Sequence, residues 1–417
     1  MNYCGMKHHI TGKVQKANME SAKKIPIAKP FLGENEALAT HRPILSGWVT
    51  QGPEVAAFEK EFAQEVGTAH ACAVSNCTVA IYMALLAVGV KPGDEVITAS
   101  HSFIATANAV RYTGATPVFV DIDPATFNIN PELVGRVITD QTSAILCVHQ
   151  LGMPCDLAAI VEIGKRHRIP VVEDAACATG SEVLWNGKWE KIGKPHGDIA
   201  CFSFHPRKVI TTGDGGMLTT NNLEYDQQFR LLRQHGMSVP DTARHTYNTI
   251  INESYVLLGY NFRMTDIQAS VGREQLKRLP DLVSERRQLA QNYHQLFRQI
   301  PEIIIPNQPF YARSNWQSYC VRLPNRADQQ RVMQNMLDHG VSTRRGVMCA
   351  HREPAYPRGS WSCGIEDGAC ACAPHTCQRL HESESAQDNG LIIPLFNGLT
   401  EDDQQRVVNT LKNALTV

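Results

Sequence analysis

The sequence lacks the features that would place it on a nucleic acid, in a membrane or outside the cell. Its 40 Lys and Arg residues nearly balance its 41 Asp and Glu residues, and the formal net charge of -1 creates no field that attracts an anionic polymer. The longest apolar stretch, residues 78–90, is shorter than the roughly 20 residues that a membrane-spanning helix needs. Residues 1–24 carry charges and lack the apolar core of a secretion signal. We therefore expect a soluble, cytoplasmic protein without a nucleic-acid or membrane partner.

The chain also lacks internal repeats and low-complexity tracts, and its 417 residues are many for a single core. Residues 1–24 are polar and aperiodic, which predicts a disordered extension, and Met19 offers a second plausible start. Beyond that extension we expect a large domain at residues 25–281 and a smaller one at residues 282–417.

The thirteen cysteines do not form the paired Cys-x-x-Cys spacing of most structural zinc sites. Nine are scattered, several of them in apolar runs, which is typical of small buried hydrophobic residues in a reducing compartment. The other four lie in a Cys-rich insertion at residues 358–379: Cys363, Cys370, Cys372 and Cys377. We assign no metal to them, and a structural metal remains the alternative.

Short apolar segments alternate with helical patterns through the first part of the chain. Strands are predicted at residues 95–99, 116–122, 142–149 and 169–174, and helices from about Pro131 and over residues 156–167. This alternation predicts an α/β fold with a mostly parallel sheet that helices cover on both faces.

Residues 199–217, IACFSFHPRKVITTGDGGM, hold the most informative lysine. The apolar run predicts a buried strand that ends before Pro206, because proline has no N–H for the ladder. Lys208 then lies on a loop past a strand end, where open α/β sheets place their chemistry. We expect burial to lower the pKa of Lys208 until its amine is nucleophilic. The alternative is an ordinary surface lysine.

The segment FSFHPRKVITTGDGGM closely resembles the Schiff-base lysine segment of the DegT/DnrJ/EryC1/StrS aminotransferases, which use pyridoxal 5'-phosphate (PLP) to aminate keto-sugars. The resemblance covers nearly everything from Ile25 onward. It implies the fold type I transferase fold, with a mostly parallel seven-stranded sheet flanked by helices and a smaller C-terminal α+β domain. It also implies that Lys208 is the Schiff-base lysine and that Ser203 offers a hydroxyl to the PLP phosphate.

The segment VSNCTVAIYMALLAVGV predicts a phosphate site. Ser75 or Asn76 is a good N-cap, which leaves the first amides of the following helix, those of Cys77, Thr78 and Val79, directed outward. A helix N-terminus with unbonded amides attracts phosphate. The resemblance implies that Cys77 and Thr78 hold the PLP phosphate, whereas capping alone would explain Ser75.

Two further residues match positions that contact the PLP ring in the family. Phe103 in HSFIATANAV matches the aromatic residue that stacks on the ring, although a lone phenylalanine is more often core. Asp174 in IPVVEDAACATGS matches the aspartate that pairs with the ring nitrogen, although strand-end aspartates are more often turn residues. Cys177 departs from the family, which commonly has Gln or His there, and we assign it no catalytic role.

The remaining implied contacts involve a second subunit and the substrate. Asn261 in GYNFRMTDIQASVGREQLKRLP matches the residue that reaches the phosphate of the neighbouring subunit's PLP, which implies a homodimer with shared active sites. A structural pair of Arg263 and Asp266 is an alternative use of that segment. Four residues lie where relatives hold substrate, although a turn and a solvated face are equally plausible: Thr50, Arg344, Arg345 and His351.

The sequence thus predicts a PLP-dependent aminotransferase that moves an amino group from an amino acid, such as glutamate, to a nucleotide-linked 4-keto-6-deoxy or 3-keto sugar. The product would serve cell-surface polysaccharide or secondary-metabolite biosynthesis. The alternatives are a cyclitol aminotransferase, a sugar dehydratase of the same fold and a non-catalytic regulatory protein. Lys208 argues against the dehydratase, because those relatives commonly replace the lysine with His.

Overall fold

The computed structural model describes residues 24–239, 252–364 and 375–416. The extension predicted at residues 1–24 therefore lies outside the described residues except for Lys24. Two cysteines of the Cys-rich insertion, Cys370 and Cys372, also lie outside them. Among the described residues, no helix is both long enough and apolar enough to cross a bilayer.

The described residues form thirteen strands and thirteen α-helices. The strands are β1 (His70–Val74), β2 (Glu95–Ala99), β3 (Thr116–Val120), β4 (Thr142–Val148), β5 (Val171–Asp174), β6 (Glu182–Trp185), β7 (Lys188–Lys191), β8 (Ile199–Ser203), β9 (Gly216–Thr220), β10 (Ala312–Arg313), β11 (Tyr319–Arg322), β12 (Arg344–Arg345) and β13 (Gly390–Ile393). The helices are α1 (Glu34–Ala39), α2 (His41–Ser46), α3 (Pro53–Val66), α4 (Cys77–Ala87), α5 (Ile104–Tyr112), α6 (Pro131–Val134), α7 (Leu157–His167), α8 (Leu223–Leu232), α9 (Asp266–Lys277), α10 (Leu279–Leu296), α11 (Gln329–Asp338), α12 (His381–Asn389) and α13 (Glu401–Thr416).

Seven strands form the central sheet, in the order β1-β9-β8-β5-β4-β2-β3. Strand β9 is antiparallel to both of its neighbours, whereas the other six strands run in one direction. The strands are buried along nearly their whole length, as expected for a sheet that helices cover on both faces. The predicted α/β class with a mostly parallel seven-stranded sheet is confirmed.

The parallel strands bring the predicted site residues to one edge of the sheet. Strands β1, β2, β5 and β8 end at this edge, and each is followed directly by a segment that the sequence singled out. Ligands of open α/β sheets bind outside the carboxyl ends of the strands. The chain topology therefore collects segments that are far apart in sequence.

The structure also contains elements that the sequence patterns did not reveal. Helices α1 to α3 precede the sheet, and Pro53 occupies the first turn of α3. Strands β6 and β7 form a hairpin around Asn186 and Gly187, both of which have positive φ, as a tight two-residue hairpin turn requires. Strand β10 joins this hairpin as a small second sheet.

A second apolar core surrounds the third sheet, β11-β13-β12. It includes the buried rings of Tyr293, Phe297 and Tyr319, which contact one another. Ile25 packs in this core and pairs with Val341, so the start of the described chain is joined to its C-terminal part. The domain division between residues 281 and 282 remains a prediction.

Candidate active site

Lys208 lies on a compact loop between β8 and β9. The loop folds back on the end of β8, because Thr211 Oγ1 and Thr212 N both donate to Phe204 O, at 2.8 Å and 3.0 Å. Gly213 has φ of +86°, a conformation that favours glycine. The half-buried Lys208 directs Nζ at Cys177 Sγ, 3.1 Å away. The loop therefore holds the amine at the carboxyl edge of the sheet.

The surroundings of Lys208 overturn one expectation. Burial lowers the pKa of the Lys208 ammonium, as expected, but negative charge and hydrogen bonding from Cys177, with smaller contributions from Cys77 and Asp174, raise it by more. The net shift is upward, so the expected lowering of the Lys208 pKa is wrong for this structure. The position of Lys208 in the sequence indicated that its amine loses water, but only the tertiary structure shows that the Cys177 thiol lies beside it.

Asp174 ends β5 and is buried, with both carboxylate oxygens engaged. Thr106 Oγ1 donates to Oδ2 at 2.7 Å, and the Ala176 amide donates to Oδ1 at 3.1 Å. The Ser102 hydroxyl lies 2.7 Å from Thr106 Oγ1 and extends this chain of hydroxyls. Burial raises the pKa of Asp174, while the bonds from Thr106 and Ala176 oppose the rise.

Sequence reasoning missed Ser102 and Thr106. Helix periodicity offered no signal for the pair, because Ser102 precedes Phe103, the N-cap residue of α5, and only Thr106 lies in the helix. Their partner is on β5, and nothing in the local sequence identifies it. Both are better described as positioning residues for Asp174 than as groups that contact a substrate.

The N-terminus of α4 has the predicted cap. Asn76 Oδ1 accepts the Val79 amide at 3.1 Å, so Val79 is engaged in the cap, whereas we had expected its amide to point outward. The Cys77 thiol donates to Cys201 O at 3.6 Å, which directs this side chain into the protein. The outward amides left by this arrangement are those of Cys77 and Thr78.

Gly216 brings Ser203 to the same place. The two residues are paired across β8 and β9. A Cβ atom on Gly216 would lie only 2.6 Å from the Asn76 backbone and 2.8 Å from Cys77 N. Only glycine therefore lets the start of α4 pack this closely on the strand pair that carries Ser203.

Phe103 precedes α5 with 68% of its surface exposed, which leaves an apolar ring uncovered beside the sheet edge. The segment that contains His351 lies nearby, because Ala350 N donates to Ser100 O at 2.9 Å. His351 itself is buried, with Nδ1 2.7 Å from Ser100 Oγ and Nε2 3.0 Å from Glu384 Oε1. Burial lowers the pKa of His351. Its ring thus joins structural elements here, and its substrate contact remains a prediction.

The other predicted substrate residues are on the surface. Arg344 and Arg345 form the short exposed strand β12, and Arg345 pairs with Glu353 at 3.2 Å. Thr50 is exposed, and its carbonyl accepts the Asp266 amide at 3.0 Å. Their contacts with substrate remain predictions.

Asp266 has a structural role in this chain. Its carboxylate accepts the amides of Gly52, Glu54 and Val55 at 2.7 Å, 3.0 Å and 3.0 Å, and so caps the start of α3. Asn261 is exposed, and its backbone pairs with Gln234. The adjacent Phe262 carbonyl accepts the Ser75 amide at 2.8 Å, which brings this segment to the end of β1.

Asn315 holds the loop that follows Asp174. Its side-chain amide donates to Cys177 O and Thr179 O, both at 2.8 Å. Gln317 completes the support by donating to the Arg207 carbonyl at 2.9 Å, beside Lys208. No sequence motif indicated either residue, since their partners lie more than a hundred positions earlier. Among the described residues, no cluster of His, Cys, Asp or Glu is arranged to hold a metal ion.

Comparisons with known proteins agree on one family. Residues 31–412 match the DegT/DnrJ/EryC1/StrS aminotransferase family. The chain is 35% identical to the spore coat polysaccharide biosynthesis protein SpsC of Bacillus subtilis, over 93% of this chain and 96% of that protein. It is 36% identical to the GDP-perosamine synthase of Caulobacter vibrioides, over 95% of this chain and 100% of that protein. Its structure resembles the aminotransferase TlmJ of Streptoalloteichus hindustanus with a TM-score of 0.82 and 31% identity, covering 94% and 99% of the two chains.

Proposed function

Because the chain belongs to the DegT/DnrJ/EryC1/StrS aminotransferase family and is a PLP-dependent aminotransferase, we propose that it transfers an amino group from an amino acid to the ketone of a nucleotide-linked sugar. One observation carries the assignment of the site. The Lys208 amine, the buried Asp174 carboxylate and the N-terminus of α4 converge at one edge of the sheet, and Lys208 is close enough to Asp174 for the two charges to interact.

The residues at this edge fit PLP. The amides of Cys77 and Thr78, with the Ser203 hydroxyl, supply donors for a phosphate at the positive end of the α4 dipole. The close approach at Gly216 is what brings these donors together. The exposed Phe103 ring provides an apolar face of the size of a pyridine ring.

Two side chains carry the proposed chemistry. When bound, PLP supplies an aldehyde carbon that exchanges amino groups and a ring that accepts electrons from a breaking C–H bond. Asp174 would keep the ring nitrogen protonated, and Thr106 and Ala176 fix the orientation of its carboxylate. Lys208 would hold the aldehyde carbon through Nζ and would move the proton of the breaking C–H bond as general acid and base.

The names of two relatives support a sugar as the acceptor. One relative is a GDP-perosamine synthase and another is a spore coat polysaccharide biosynthesis protein, and the chain aligns over nearly the full length of both. We propose a nucleotide-linked 4-keto-6-deoxy sugar as the acceptor and glutamate as the donor.

The test uses the purified full chain with PLP and glutamate, followed by a panel of GDP-, UDP- and dTDP-linked keto-sugars. We expect glutamate to bleach the visible absorbance of the bound PLP and to yield 2-oxoglutarate, and one acceptor to gain an amine detectable by mass spectrometry. Lys208→Ala should abolish both reactions. Lys277→Ala is the matched control, because Lys277 pairs with Glu274 on the surface of α9. Release of 2-oxoglutarate without amination of any nucleotide sugar would refute the proposed acceptor class.

We also propose that the active site is shared between two copies of the chain, with Asn261 of one copy contacting the phosphate bound by the other. Asn261 is exposed, and the nearby Tyr255, Val256 and Leu258 expose large apolar surfaces that a second copy would cover. Mixing Lys208→Ala with Asn261→Asp should restore activity, because a mixed dimer then has one intact site. With random pairing, about a quarter of the wild-type sites should be active. Failure of two inactive variants to rescue each other would refute sharing.

A further inference from the structure

The Cys177 thiol lies against the amine of Lys208 at a fixed position. Cys177 Sγ accepts a hydrogen bond from Lys208 Nζ at 3.1 Å. The backbone of Cys177 is held by the bond from the Asn315 side-chain amide to its carbonyl, and the same amide group binds Thr179 O. The loop therefore presents the thiol to the amine from a supported backbone.

The other ionisable groups around Lys208 are already engaged. Asp174, at the end of β5, accepts hydrogen bonds from Thr106 and Ala176. Cys77, at the start of α4, donates to the Cys201 carbonyl, and burial raises the pKa of its thiol well above the usual value. Of the three groups that face Lys208 from these elements, Cys177 is the one in direct contact with Nζ.

We propose that Cys177 is a positioning residue that holds the Lys208 amine whenever that amine is not bonded to the cofactor, and that it exchanges one proton with the amine. The exchange converts ammonium and thiolate into neutral amine and thiol: the N–H bond breaks, the S–H bond forms, and no electrons are transferred. The proposal rests on the proposed function, which makes Lys208 the reacting amine.

The thiolate gives the ammonium a local proton acceptor: once it takes the proton, the amine is neutral, and only the neutral amine can attack a carbonyl group, although the pair holds less neutral amine at equilibrium than an unpaired lysine would. The reference pKa values of a thiol, about 8.5, and of a lysine amine, about 10.4, are close enough for one proton to move between them. A serine hydroxyl at the same place could keep the hydrogen bond but would not ionise at these pH values. The variants Cys177→Ser and Cys177→Ala therefore separate the holding role from proton exchange.

The first experiment measures the amine in the full chain prepared without PLP. Lys208 is labelled with 2,4,6-trinitrobenzenesulfonate over a range of pH, and the labelled peptide is quantified by mass spectrometry. At a fixed pH we expect about tenfold less labelling in wild type than in Cys177→Ser or Cys177→Ala, because the paired thiol favours the ammonium form of Lys208. Cys320→Ala removes a buried thiol that lies on β11 instead and should leave the labelling unchanged.

The second experiment measures the thiol. Alkylation of Cys177 by iodoacetamide is followed over the same pH range in wild type and in Lys208→Met. Because coupling between two sites is reciprocal, the pH dependence of Cys177 alkylation should differ between wild type and Lys208→Met. The same pH dependence in all variants, or a change seen from one side only, would overturn the proposal.

Both measurements stand apart from the proposed function, since neither needs a donor or a sugar. If the two titrations are coupled but the protein aminates no sugar, the proposed acceptor class is refuted and the proposed role of Cys177 stands. If the enzyme is active but the titrations are not coupled, only the proposed role of Cys177 is refuted. Circular dichroism checks that the variants fold, and if Cys177→Ala does not, Cys177→Ser and Lys208→Met decide the outcome. In the active enzyme, the pH profile of kcat should change in Cys177→Ser, and a purely structural role would not produce that change.

Discussion

Replacing Thr106 with valine tests whether the hydroxyl chain beneath Asp174 controls the cofactor site. The side chain is 1% exposed and donates to Asp174 Oδ2 at 2.7 Å, and valine has nearly the same shape without the donor. Hydrogen bonds to charged groups contribute about 1.5–3 kcal/mol. Because this bond favours the ionised carboxylate, Thr106→Val should raise the pKa of Asp174 further and should cost the ionised form about that much free energy.

The loss should appear in cofactor binding and in stability. Without the Thr106 donor, the free carboxylate is less readily ionised and less firmly oriented toward the ring nitrogen, so the affinity for PLP should fall, by about 10- to 100-fold if the whole hydrogen-bond energy is lost from the complex. Because burial already raises the Asp174 pKa above its unfolded value, the ionised group destabilises the fold at neutral pH, and the variant increases that cost. The difference in stability should therefore be present at pH 7 and shrink as the pH falls toward the unfolded value.

Titration with PLP, followed by absorbance, and urea unfolding at several pH values measure these effects. Thr106→Ser is the matched control, because it keeps the hydroxyl and should bind PLP nearly as wild type does. Wild-type affinity and an unchanged pH dependence in Thr106→Val would show that this hydroxyl does not control Asp174.

Two other substitutions test the supports of the site, and a third tests how stability depends on pH. Gly216→Ala places a Cβ atom 2.6 Å from the backbone at the start of α4, so the free energy of unfolding should fall by about 1–3 kcal/mol and the affinity for PLP should fall with it. Gly135→Ala is the control: a Cβ atom there meets open space, so the same unfolding and binding assays should show little effect. Asn315→Ala leaves two carbonyl groups without their donor, and calorimetry should show a loss of about 2–4 kcal/mol; an unchanged melting temperature would argue against this support. Burial lowers the pKa of His101 to about 4, so wild type should lose stability as the pH falls from about 6.5 to 4, by up to about 1.4 kcal/mol per pH unit. His101→Phe removes the titrating group, so urea titrations should show a smaller loss of stability over that interval.

The sequence alone determined the local parts of the site. The end of β8 before Pro206, a helix cap at Ser75 or Asn76 and the alternation of strands and helices each depend on neighbours a few positions away, so a single sequence reveals them, and the structure shows that Asn76 is the cap. The position of Lys208 past a strand end placed it where open α/β sheets carry their chemistry. The resemblance to the family added the identity of the cofactor.

Only the tertiary structure decided what each site residue contacts. The bonds from Lys208 to Cys177, from Thr106 to Asp174 and from Asn315 to Cys177 join residues 31, 68 and 138 positions apart, and such contacts leave no periodic trace in one sequence. The direction of the Lys208 pKa shift follows from those contacts, because a nearby thiol can outweigh desolvation. The burial of the His351 ring has the same origin, since it depends on contacts with Ser100 and Glu384, which lie 251 and 33 positions away in the sequence.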